Sequence, residues 1–198
     1  MTNYRRMYRL GITPWERYAG SAGRDIDARV DAVTSERGTP GRALDLGCGR
    51  GLHTPRLARH GWGAVGIDLV PEAIAAANAR GEDGVRYVVG DVTELPTAGL
   101  GEFDLFLDIG CFQGLDPRQQ TSMGAGVTAL ATPGATLLML AFGPSAIRRF
   151  VEGVSRAEVE AAFPAWELVE VAAAPVDGLG WPMNRTSPQW YEFRRRDA

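Results

Sequence analysis

The chain of 198 residues contains no lysine, and all 21 of its basic residues are arginine. That absence excludes a Schiff-base lysine, the lysine of a Walker phosphate loop and the catalytic lysine of a short-chain dehydrogenase. Exclusive use of arginine is what a GC-rich genome would produce. Histidine and cysteine are scarce as well. His53, His60, Cys48 and Cys111 are too few and too scattered for a structural zinc centre, and no metal is expected. Long apolar runs are also missing: the longest, Ala135 to Phe142, falls far short of the roughly 20 residues that cross a bilayer. Met1 to Leu10 carries Arg5, Arg6 and Arg9 with no apolar stretch behind them, so no secretory signal is expected and the cytoplasm is the expected compartment. A net charge of −3 argues against nucleic acid or an anionic membrane as partner.

What is present is enough apolar residue, 45%, to bury one core, and a single domain over 1–198 is expected. The most informative stretch is Arg42-Ala-Leu-Asp-Leu-Gly-Cys-Gly-Arg-Gly51. A short apolar run is followed by glycine at alternate positions, Gly47, Gly49 and Gly51, which predicts strand, tight turn and helix. The first N–H groups of a helix over 52–60 would then face a crevice at the carboxyl end of the strand. A dinucleotide fingerprint needs a third glycine where Leu52 stands. Asp45 would repel a pyrophosphate, whereas a carboxylate there suits a ligand with a cationic end.

Alternation continues along the chain. Ser21 to Arg37 has a helical apolar period ending at Gly38. Ala64 to Leu69 is a buried strand closing on Asp68, 17 residues after Gly51, where a carboxylate can accept two ribose hydroxyls. Pro71 opens a helix to Arg80, Val85 to Val89 is the third strand, and Phe103 to Ile109 the fourth. A helix over Arg118 to Ala131 precedes the strand Ala135 to Phe142, and Ser155-Arg-Ala-Glu158 is a capping box for a short helix to Phe163. Trp166 to Ala172 and Trp190 to Arg195 then read as two strands with no helix between them. That order predicts an α/β, doubly wound, Rossmann-like sheet of seven strands whose last strand is antiparallel.

Asp45-x-Gly47-x-Gly49-x-Gly51, Gly66-Ile-Asp68, Gly90-Asp-Val92 and Asp108-Ile-Gly-Cys111-Phe112 together resemble the class I S-adenosylmethionine (SAM) dependent methyltransferases, over residues 40–195. The pattern is similar to their small-molecule branch, the thiopurine or thiol-type relatives of actinobacteria. It lacks the Asn/Asp-Pro-Pro-Tyr sequence of amino-group methylation on nucleic acid. The resemblance implies SAM as cofactor, with S-adenosylhomocysteine as product, and a small-molecule acceptor with an S, O or N nucleophile. It implies that the cofactor contacts Asp45, Gly47, Cys48, Gly49, Gly51, Asp68, Leu69, Asp91, Val92, Asp108 and Ile109. Residues 1–40 would be a lid and helical segment ahead of a core over 41–198, with Trp15 as a further cofactor contact. Phe112, Gln113, Trp181 and Trp190 are candidates for the acceptor's surroundings. His53 and Cys111 are the candidates for a catalytic role, His53 as a base if it faces the crevice and Cys111 as a group lining the site. Two other readings fit the cofactor motifs: a cyclase-like enzyme that binds SAM without methylating, or a SAM sensor. A nicotinamide dehydrogenase is disfavoured by Leu52 and the missing lysine. The oligomer is expected to be a monomer or homodimer.

Overall fold

The computed structural model describes residues 19–144, 153–176 and 186–197. The expected lid over 1–18, including Trp15, and the acceptor candidate Trp181 lie outside the described residues. Helix α1 (Ala19–Arg37) is followed by β1 (Arg42–Leu46), α2 (Thr54–Arg59), β2 (Gly63–Asp68), α3 (Pro71–Asn78) and β3 (Val85–Val89). A 3-10 segment (Val92–Ala98), β4 (Phe103–Ile109), a 3-10 turn (Phe112–Gly114), α4 (Pro117–Ala129) and β5 (Ala131–Phe142) come next. Helix α5 (Arg156–Ala162), β6 (Trp166–Ala173) and β7 (Pro188–Arg195) complete the order.

The strands form one seven-stranded sheet in the order β3-β2-β1-β4-β5-β7-β6. The first five are mutually parallel, and β7 is antiparallel to both β5 and β6. The doubly wound fold with an antiparallel last strand is therefore present. Alternation along each strand separates two cores. Leu44, Leu46, Val65, Ile67, Phe106, Leu137 and Met139 face α4 and α5, where Met123, Val127, Val159 and Phe163 are buried. Ala43, Ala64, Leu105, Leu107, Leu138 and Leu140 face the other way, toward Ile26, Val30 and Val33 of α1 and Leu57 of α2.

Two of the boundaries that differ from the sequence reading do so for a local reason. Helix α2 starts at Thr54, not 52, because the turn occupies residues through His53. β5 starts at Ala131, ahead of the Pro133-Gly134 expected to precede it. The Thr132 hydroxyl donates to Asp104 at 2.8 Å, which holds this part of the strand on β4 across a register irregularity between Phe103 and Leu105. The capping box at Ser155 and Glu158 is formed. No described helix is long and apolar enough to cross a membrane.

Candidate functional site

Chain order along the sheet reverses at β1: β2 and β3 lie to one side, β4 and β5 to the other. Ligands of open α/β sheets sit in the crevice at the carboxyl end of such a switch point. The glycine turn leaves β1 at this place. Gly47 and Gly51 have φ of +68° and +69°, a region an L side chain rarely adopts. A Cβ on Gly47 would stand 2.6 Å from Cys111 Sγ, and one on Gly51 would stand 2.2 Å from the Tyr87 hydroxyl. The turn is thus closed against the loop after β4 on one side and against β3 on the other. Its backbone is pinned by the Cys48 N–H donating to Ile67 O at 3.0 Å and the Gly51 N–H donating to Cys48 O at 3.0 Å.

Four carboxylates approach the turn from neighbouring strands. Asp45, 2% exposed, accepts the Thr54 hydroxyl on Oδ2 at 2.6 Å. Burial, partly offset by Thr54 and reinforced by Asp68, pushes its carboxyl up to about 7. Asp68 accepts the Gly49 N–H on Oδ2 at 2.9 Å and the Val70 N–H on Oδ1 at 2.8 Å. Burial raises its carboxyl too. Each oxygen is therefore engaged once by backbone, and a ligand's hydroxyls would share them through the remaining lone pairs. Asp91 accepts from the N–H and hydroxyl of Thr93, capping the 3-10 segment. Beside it Val92 is 7% exposed.

The fourth carboxylate, Asp108, expected to touch the cofactor, is fully buried and accepts the N–H groups of Cys111 and Phe112 at 2.9 and 3.0 Å. It shapes the loop after β4 from behind, and burial pushes its carboxyl up to about 7. Phe112 and Trp190, expected around the acceptor, are buried as well. Phe112 is 0% exposed and packs on Phe163, with ring centroids 5.7 Å apart. Trp190 is 1% exposed and donates its Nε1–H to Asp25 of α1 at 2.6 Å. Neither ring offers a free face to the crevice, because the alternation of β7 and the Asp108 staple turn them into the two cores.

Other candidates stay at the rim. Leu69 is 56% and Val89 50% exposed, and the β2–β3 register, pairing Asp68 with Val89, puts both residues at the carboxyl end of the sheet. Ile109 is half-buried, and Gln113 is half-buried with its Oε1 accepting the Phe142 N–H. Cys48 is buried and Cys111 half-buried; both are free thiols. Burial and the surrounding carboxylates push both up, so neither is a thiolate.

His53, the candidate base, stands just before the first turn of α2. Burial and the nearby Arg56 lower its imidazole to about 4, and Asp27 of α1 is its acidic neighbour. Its Nδ1 is buried without a hydrogen-bond partner. Near pH 7 it is therefore a neutral ring, poorly suited to take a proton. Thr54 and Tyr87 were missed by the sequence reading. Thr54 could have been found nine residues after Asp45 at the helix start, but Tyr87 carries no local signal, since only strand register brings it over Gly51. A shallow hollow of about 330 Å³ lies elsewhere, beside α2, lined by residues such as Arg59, Trp62 and Asp83. It contains none of the residues singled out above.

Comparison with known proteins agrees with this geometry. A family model described as "Methyltransferase domain" matches residues 43–134, the stretch from β1 to the start of β5. The 2-heptyl-1-hydroxyquinolin-4(1H)-one methyltransferase of Mycobacteroides abscessus is 30% identical over 117 residues, 57% of this chain and 51% of that protein. The ubiquinone biosynthesis O-methyltransferase of Xanthomonas campestris is 32% identical over 116 residues, 56% of this chain and 47% of that protein. The chain thus spans about half the length of these curated relatives. Among solved structures, the N-methyltransferase NodS of Bradyrhizobium japonicum in complex with S-adenosylhomocysteine superposes with a TM-score of 0.72 at 20% identity, covering 96% of this chain and 92% of that one. The glycopeptide N-methyltransferase MtfA complexed with sinefungin gives 0.67 at 15% identity, covering 86% and 87%. These structures share the fold.

Proposed function

We propose that the protein is a SAM-dependent methyltransferase acting on a small-molecule acceptor. The observation that carries this reading is the positive-φ turn Gly47–Gly51, closed by Cys111 and Tyr87 and flanked by Asp45 and Asp68 at the switch point of the sheet. The residues fit the cofactor by three tests. Positive φ and the close approach of Cys111 and Tyr87 keep side chains out of the turn, the carboxylates around it suit a cation, and Leu69 with Val89 offers apolar surface beside Asp68 and Asp91 for an adenine ring. The methyltransferase-domain match over the same residues supports it, and so do the small molecules in the names of its relatives.

SAM, when bound, supplies a methyl group on a sulfonium that leaves as a neutral thioether, so no acid is needed. What the chain contributes is alignment and exclusion of water, and such positioning can supply roughly 7 to 11 kcal/mol. The acceptor's lone pair forms the new bond to carbon and its proton passes to solvent. His53, its imidazole lowered to about 4 by burial and Arg56, supports a reaction with no obligatory base. The acceptor is then a group already nucleophilic near neutral pH. A thiol, with a pKa of about 8.5, meets that condition, which favours the thiopurine- or thiol-type reading. His53→Asn is expected to keep turnover within about threefold of wild type. Loss of turnover with SAM affinity intact would restore His53 as the base.

The test is release of S-adenosylhomocysteine from SAM across thiols, phenols, amines and carboxylates. Turnover with a thiol, and none with NADH in place of SAM, is the expected result. Tight SAM binding with no product from any acceptor would favour the non-methylating enzyme or the sensor.

A further inference from the structure

Asp45 is the carboxylate closest in sequence to the glycine turn, and its surroundings are unusual for a group meant to bear charge. Asp68 of β2 opposes its ionisation. The other titratable groups that interact with it are Cys48 in the turn, Tyr87 of β3, Asp108 of β4 and Cys111 in the loop beyond, all acids. Among the described residues, Thr54 alone works the other way. Its hydroxyl, on a residue 0% exposed, donates to Asp45 Oδ2 at 2.6 Å, and its backbone N–H also hydrogen-bonds the carboxylate. Tyr87 of β3 lies beside Thr54. The Tyr87 side chain interacts with the Thr54 hydroxyl, and its own hydroxyl donates to Gly51 O at 3.4 Å.

We propose that Thr54, beside Tyr87, is a positioning residue for cofactor binding: from the first turn of α2 its hydroxyl fixes the Asp45 carboxylate beneath the glycine turn and favours its charged form. This rests on the reading of the turn as a SAM site. A hydroxyl donated to a carboxylate favours its ionised form, and in a water-poor setting that bond is stronger than at a surface. Without it, burial and Asp68 act unopposed except by the Thr54 backbone. The carboxyl then carries its proton to higher pH, and the turn loses one of the negative charges facing a cationic ligand.

The test compares wild type with Thr54→Val, Thr54→Ser and Tyr87→Phe. SAM binding is followed by calorimetry from pH 6 to 9, and the Asp45 carboxyl is titrated by ¹³C NMR without cofactor, using Asp45→Asn for assignment. Thr54→Val is expected to bind SAM about tenfold more weakly at pH 7, to recover toward wild type as pH rises, and to titrate Asp45 at higher pH. Thr54→Ser, which keeps the hydroxyl, is expected to restore both. Tyr87→Phe, which keeps the ring, is expected to show the same shifts in smaller size, and it carries the prediction if Thr54→Val does not fold. Unchanged Asp45 titration in the folded variants overturns the proposal. So does weaker SAM binding with an unshifted pH profile, which would mean mere structural damage. Wild-type protein that binds no SAM would sink the functional reading instead, while the carboxyl titration would still report on Thr54.

Discussion

At the scale of single residues, the site concentrates groups held away from their ordinary charge states. Asp45 and Asp108 have carboxyls near 7, far above the value of about 3.9 they take in the unfolded chain. A raised acid binds its proton more readily folded than unfolded, so its contribution to stability is complete below about pH 4 and is lost as pH rises through 7. His53 opposes them: its value near 4 lies below the unfolded value of about 6.5, so its contribution is lost as pH falls between those limits. Two carboxylates outweigh one imidazole. Without cofactor, stability is expected to fall by about 3 kcal/mol between pH 5 and 8, and Asp45→Asn to flatten the slope, both measured by urea unfolding at each pH. A steric test sits beside the electrostatic one. Gly51→Ala combines a positive φ with overlap on Tyr87, and is expected to cost about 2 to 4 kcal/mol and to abolish SAM binding. The sequence showed the glycines and Asp45 plainly, because a cation site needs both types in a fixed local spacing. It could not show that Thr54 and Tyr87 serve them, since a threonine or a tyrosine has many uses and its partner is chosen by packing.

At the scale of elements, the helices act mainly as supports for loops. Helix α4 opens with Asp116, whose side chain accepts the N–H groups of Arg118 and Gln119, while Gln119 returns a bond to the Asp116 N–H. One turn on, the Gln120 side chain donates to the carbonyls of Phe112 and Leu115, tying the helix to the loop that closes on Gly47. Asp116→Ala is expected to cost about 1 kcal/mol in chemical denaturation and to leave SAM affinity unchanged, because the cap supports the loop from outside. Helix α1 is attached differently. Among its described side chains Ile26, Val30 and Val33 are buried in the core, and polar links also hold it, such as Trp190 to Asp25, Arg56 to Asp27 at 2.6 Å and Arg194 to Glu36 at 2.7 Å. Most strands and helices were legible within a residue or two, because apolar period and capping are local properties. The two 3-10 segments were not, since a single turn leaves no period to read.

At the scale of the whole molecule, a ligand that binds only the folded chain stabilises it by mass action. SAM at 100 times its Kd is expected to add about 2.7 kcal/mol, raising Tm by about 5 to 10 °C, whereas NADH is expected to produce no shift; thermal unfolding with each ligand checks this. The amino-acid order alone determined the alternation of strands and helices, the antiparallel end of the sheet and the placing of a cation-friendly turn after β1. Each of these follows from periodicity and backbone sterics within a few residues. Only the tertiary structure decided which side chains reach the crevice. It sent Phe112 and Trp190 into opposite cores, set Asp108 behind its loop, put His53 near Arg56 and Asp27 and brought Tyr87 of β3 across Gly51. The reason is geometric: strand register and helix docking join residues far apart in the chain, and burial then fixes both their orientation and their charge.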